Sequence, residues 1–115
     1  MQNREFSAFS GDMPGRFVVK KWGFIYTLGN DADGLKTDRI GSPSCQLISI
    51  GVPAVADAPE AARQLLAEGV ELIELCGAFG GAGLASVIAA VDGKVPVGAV
   101  FYGCEASTGL HRLFG

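Results

Sequence analysis

Glu74 and Cys76 stand two residues apart in the run Val70-Glu-Leu-Ile-Glu-Leu-Cys76, and a glycine-rich segment, Gly77-Ala-Phe-Gly-Gly-Ala-Gly83, follows at once. If the run is a strand, period two sets Leu72, Glu74 and Cys76 on one face and Glu71, Ile73 and Leu75 on the other. A carboxylate in the middle of a buried strand must be paired, hydrogen-bonded or protonated. Desolvation then raises its pKa, which is how active sites tune an acid or base. Glu74 is therefore a candidate general acid or base; the plainer alternative is a structural carboxylate tied to a backbone amide or to Arg39 or Arg63. Cys76 closes its strand just ahead of a helix amino terminus, where the dipole favours thiolate, and is the second catalytic candidate. No general base lies near it in sequence. The single histidine, His111, follows the last strand, whose carboxyl end can lie beside that of the third, so a Cys76 to His111 pairing stays open next to an inert buried thiol.

The glycines suggest binding rather than a named reaction. Gly77, Gly80, Gly81 and Gly83 let the backbone approach a ligand and adopt positive φ, and a strand, glycine turn and helix in succession place free amides at the ligand edge of an α/β sheet. Such a loop, with Phe79 inside it, suits a phosphate or carboxylate, that is, a small anionic ligand. It lacks the Gly-Lys-Ser/Thr ending of a P-loop and the spacing of a dinucleotide fingerprint. A tight turn that binds nothing explains the same glycines. Tyr26-Thr27 and Tyr102-Gly-Cys-Glu105 end two further strand-like runs on the same edge and could complete a pocket, Tyr26 and Tyr102 offering hydroxyls and Glu105 a carboxylate. Core packing or a helix-start acid accounts for each equally well. Arg39 is the nearest cation in sequence. Asp31 and Asp33 before Gly34 fall short of a complete ligand set, so no metal site is expected, and no cofactor is assigned.

These residues need elements to hold them. Lys21 to Leu28, Gln46 to Val52, Val70 to Cys76 and Val95 to Tyr102 are short, β-branched and aliphatic runs that read as strands buried on both faces. Asp57-Ala-Pro-Glu60 opens a helix with an acceptor, an early proline and a glutamate three residues on, and Gly69 closes it. Ala61, Ala62, Leu65 and Leu66 form its inner stripe. A second helix covers Ala82 to Val91, a short one Asp33 to Ile40, with Gly41-Ser42-Pro43 breaking it, and a terminal one Glu105 to Phe114 with Leu110, Leu113 and Phe114 inward. The expected fold class is α/β: a small single domain over residues 19–115, with a mostly parallel four-stranded sheet flanked by helices in βα repeats. Residues 1–18, with Gly11, Pro14 and Gly15, read as a flexible or partner-docked extension.

Composition narrows the partners. The chain has 115 residues, 49% of them hydrophobic, enough for one compact domain with a real core. Nine Lys and Arg stand against 12 Asp and Glu, a net charge of −3, with no basic run beyond Lys20-Lys21, so nucleic-acid binding is not expected. Mean hydropathy is +0.33, yet charges interrupt every apolar run before it could span a membrane. The first ten residues lack the apolar core of an export signal, and three cysteines with no paired spacing form neither a disulfide framework nor a zinc site; a cytoplasmic protein with reduced thiols is expected. The helix 82–91 carries no charge at all. A small domain cannot surround such a helix, so a homo-oligomer built through it is expected; the other reading is that alanine and glycine tolerate exposure.

Lys21-Trp22-Gly-Phe-Ile-Tyr26, Gly51-Val-Pro53, Glu71-Leu-Ile-Glu-Leu-Cys-Gly77 with Phe79-Gly80, and Val95-Pro-Val-Gly-Ala-Val100 together resemble a family of small bacterial proteins known as a domain of unknown function, DUF6506. The resemblance runs from Lys21 to Phe114 and implies no activity. Its pattern usually has glycine at position 78 and proline at 81, where this chain has Ala78 and Gly81, a departure that leaves the turn's conformation open. The leading expectation is a small-molecule or anion-binding domain. An enzyme using Glu74, and an oligomeric scaffold without a ligand, are the alternatives.

Overall fold

The computed structural model describes residues 18–115; the expected extension, apart from Val18, lies outside them. In chain order the elements are β1 (Lys21–Thr27), β2 (Lys36–Ser42), β3 (Cys45–Val52), a 3-10 turn (Val55–Asp57), α1 (Ala58–Ala67), β4 (Ile73–Leu75), α2 (Gly80–Val91), β5 (Val97–Ala99), a second 3-10 turn (Cys104–Ala106) and α3 (Ser107–Phe114). They form an α/β domain around a five-stranded mixed sheet in the order β2-β3-β1-β4-β5. β3, β1, β4 and β5 are parallel, and β2 pairs antiparallel with β3 at the edge.

β2 corrects the sequence reading twice. Four strands become five, and the stretch expected to be a short helix over Asp33 to Ile40 is a strand, so the regular βα repeat starts only after β3. Gly41-Ser42-Pro43 does not end a helix; it leads into the hairpin turn at Pro43-Ser44. Every residue of β2 is exposed. An edge strand pairs on one side only, so its hydrogen-bond ladder stabilises it without an apolar period that a sequence could display.

α1 and α2 pack on one face. Ile25, Ile48, Ile50, Val52, Ile73 and Leu75 from the strands join Ala58, Ala61, Ala62, Leu65, Val87 and Val91 from the helices in one core, each fully buried Ile, Leu or Val contributing about 1.5–3 kcal/mol. The alanine pair lets α1 come close to the sheet, and Gly23 of β1 lies under Leu65, whose Cδ1 is 2.7 Å from where a β-carbon would stand. Asp57 precedes α1 as expected, but its carboxylate turns back to accept the Ala54 N–H at 3.1 Å. Glu68 then ends the helix and Gly69 follows at φ +83°.

Strand order explains why both helices share a side. From β3 to β4 and from β4 to β5 the chain steps in one direction, and right-handed crossovers of one direction put their helices on one face. The opposite step, from β1 to β3, would put a helix on the other face, but its connection is β2. Among the described residues no helix covers that second face, so the expectation of strands buried on both sides fails. α2 is half-exposed as well: Gly83, Val87 and Val91 are buried, while Ala82, Ala85, Ile88 and Ala89 face outward. α3 departs from expectation in one respect. Leu110 is half-buried, but Leu113 and Phe114 are 75% and 79% exposed, because α3 lies beyond the strand ends and packs chiefly against the turn before it.

Candidate functional site

β1 and β4 are neighbours whose connections leave in opposite directions, toward β3 and toward β5. At such a point the two loops part and open a crevice beyond the carboxyl ends of the strands. A cleft of about 750 Å³ lies there. Thr27 from the end of β1 and Cys76, Gly77 and Ala78 from the turn after β4 line its base. Tyr102, after β5, and Leu110, His111 and Phe114 of α3 form its wall.

Each lining group has a local cause. The Cys76 N–H donates to the Ile25 carbonyl at 3.0 Å, extending the β1–β4 ladder by one residue and fixing where the turn begins. The Phe79 N–H then donates to the Cys76 carbonyl at 3.3 Å, which closes a tight turn and leaves the backbone of Gly77 and Ala78 exposed. Gly77 is needed for a close approach: a β-carbon there would stand 2.8 Å from Cε2 of Tyr102, so the tyrosine ring lies against bare backbone. The second 3-10 turn begins at Cys104, and the Ser107 hydroxyl donates to its carbonyl at 2.7 Å, turning the chain so that α3 stands over the cleft.

The structure brings together some of the residues singled out by sequence and separates others. Cys76, Gly77 and Tyr102 line the cleft, and His111 joins Cys76 there. Phe79 is a core residue, 5% exposed. Gly83 is buried against Phe79 and Val55, and Gly80, at φ +63°, starts α2. Gly81 is exposed but does not line the cleft, so the glycine segment contributes only its first two residues. Tyr26 lies on the uncovered sheet face, its ring stacked on Phe24 with centroids 6.0 Å apart. Glu105 turns toward the Gly103 backbone, outside the cleft lining.

Glu74 is the main correction. Its neighbours Ile73 and Leu75 are buried but Glu74 is exposed, because it belongs to the sheet face that no described element covers. It borders a shallow depression of about 200 Å³ with Val19, Trp22, Cys45 and Leu72. Burial, the premise for tuning it as an acid or base, is absent. Arg39 also lies elsewhere, its guanidinium bonding both Glu68 carboxylate oxygens at 3.0 and 2.6 Å.

Thr27 and Ala78 fall within segments that the sequence placed at the ligand edge, whereas Leu110 and Phe114, expected only as inward residues of the terminal helix, were missed as cleft residues; their types are ordinary, and only their position on α3 signals them. Among the described residues no cluster of three or more His, Cys, Asp or Glu is placed to hold a metal, and no helix is long and apolar enough to cross a membrane. No curated protein and no solved structure matches the chain. Residues 20–115 match the model of a family described as of unknown function, DUF6506, and the chain belongs to that family.

Proposed function

We propose that this domain binds a small organic molecule in the cleft at the ends of β1 and β4. The observation that carries the reading is the coincidence of a cleft of about 750 Å³ with the point where the sheet's connections diverge. Leu110 and Phe114 offer an apolar wall. Thr27, Tyr102, Cys76 and His111 offer a hydroxyl pair, a thiol and an imidazole to orient polar groups. An anionic end would meet His111 and the exposed amides of the Gly77–Ala78 turn, which narrows the expected anion loop to its first two residues.

The test is a thermal-shift screen of carboxylates, phosphorylated metabolites and uncharged analogues at constant ionic strength, repeated with Ala78→Trp, which fills the cleft from an exposed position. A ligand at about 100 times its Kd raises stability by about 2.7 kcal/mol, and the variant should lose that shift while keeping the wild-type melting temperature. Shifts of equal size in both proteins would remove the cleft from consideration.

A second reading rests on Cys76 and His111 lining the same cleft. A thiol and an imidazole in one cleft suit nucleophilic chemistry. Under that reading iodoacetamide labels Cys76 faster than Cys45, and His111→Gln abolishes the difference in peptide-resolved mass spectrometry. Equal rates for the two thiols would leave simple binding.

A further inference from the structure

The lining of the cleft divides by chemistry as it does by element. Its wall is apolar: Leu110 and Phe114 stand one turn apart on α3, with Tyr102 beside them. α3 has no buried residue and packs chiefly on the 3-10 turn before it, and Tyr102 and Phe114 are 59% and 79% exposed. The base is polar but uncharged. Among the described residues the Gly77 and Ala78 N–H groups donate to no backbone carbonyl, and Thr27 adds a hydroxyl. No Lys, Arg, Asp or Glu lines the cleft: Arg112, next to His111, and Glu105 both lie outside the lining. The first residues of α2, whose N–H groups suit a phosphate, lie outside it as well.

A phosphate ordinarily meets Arg or Lys, or the amides of a helix start, and an ammonium group meets a carboxylate. Enclosing either charge without such a partner costs more solvation than it returns. Two neighbouring N–H groups, by contrast, match a single carbonyl or carboxylate oxygen. We infer that the ligand is an amphipathic acyl compound, its apolar body against α3 and Tyr102 and its one acyl oxygen head at the Gly77–Ala78 turn, and that phosphorylated and cationic metabolites are not its class. The inference rests on the cleft reading above and names the kind of molecule that the cleft takes. A volume of about 750 Å³ falls within the roughly 300–1,000 Å³ of sites for organic molecules, far more than an inorganic anion fills. α3 is then the element that sets specificity: every methylene laid against it leaves water, whereas the head group contributes a fixed part of the affinity.

Amide chemical-shift titrations of the full chain at about pH 8, where a phosphate monoester is doubly charged, test class and cleft separately. The probes are butanoate, hexanoate and octanoate, with hexanamide, hexyl phosphate and hexylammonium as head-group variants. Dissociation constants should fall about two- to fourfold per methylene from butanoate to octanoate. Hexanamide should bind within about tenfold of hexanoate, and hexyl phosphate and hexylammonium at least about tenfold more weakly. Phe114→Ala, at an exposed position outside the core, should flatten the dependence on chain length and leave butanoate unchanged. Ala78→Trp should abolish binding of every probe. A phosphate or ammonium that binds as tightly as hexanoate and is lost in Ala78→Trp overturns the acyl class and keeps the cleft, and so does an affinity independent of chain length. Binding that Ala78→Trp leaves intact, or no shift with any probe at about 10 mM, overturns the cleft reading and this inference with it.

Discussion

Glu71 holds the start of the sheet together. Its carboxylate accepts the Lys20 N–H at 2.6 Å and the Lys21 N–H at 3.2 Å, where the chain enters β1. Those bonds, the first above all, hold its pKa below the ordinary carboxylate range. The Arg39 guanidinium does the same for Glu68, tying β2 to the end of α1. Both groups have folded-state pKa values below their unfolded ones. Their stabilisation is therefore complete above the unfolded value and is lost as pH falls through the folded one, from about pH 5 downward. Both are solvent-screened, which keeps each contribution small. Glu71→Gln should lower the melting temperature by a few degrees at pH 7, and the gap to the wild type should close as the buffer is taken toward pH 3. A gap independent of pH would mean that the charge on Glu71 has no part in holding β1. Glu74, three residues on, shows what residue type conveys: a carboxylate between apolar neighbours is visible in sequence, but whether it meets water depends on what covers its face.

The β2–β3 hairpin is the element that pattern reading lost and that most shapes the architecture. Its tight pairing depends on Gly41, at φ +148°, where a β-carbon would run into the Cys45 carbonyl oxygen and stand 2.9 Å from the Gln46 α-carbon. Those are backbone atoms of the paired strand and cannot step aside. Gly41→Ala should cost about 2–3 kcal/mol or more, combining an unfavourable φ with the clash, read as a lower urea midpoint. A cost below about 0.5 kcal/mol, typical of neutral surface changes, would show that the hairpin has another way to close. α1 was readable because its signals are local: proline and Glu60 in the first turn, an inward stripe, and Gly69 after it. β2 was not, since Lys36 to Ser42 carries no alternation and its hydrogen bonds go to a strand reached only through the fold. β4 and β5 were located but overextended, three paired residues each, because apolar runs continue past the last ladder bond.

Any self-association of the folded chain has a thermodynamic signature of its own. If two folded chains dissociate as they unfold, mass action makes the melting temperature rise with protein concentration, by roughly 3 °C per tenfold for two domains of this size. Differential scanning calorimetry between about 5 and 500 μM checks it; a flat melting temperature would fit independent monomers.

Local sequence settled the α/β class, α1 with its ends and the position of the turn after β4, because these follow from periodicity, capping and glycine within a few residues. Tertiary structure alone decided three things. It replaced a helix by an edge strand, and with it, among the described residues, removed the helical cover from one side of the sheet. It left Glu74 in water and gathered Thr27, Cys76, Tyr102 and His111 around one cleft from segments up to 84 residues apart in number. The reason is the same each time: pairing order and crossover direction are relations between distant segments, and no stretch of neighbouring residues encodes which strand will lie beside which.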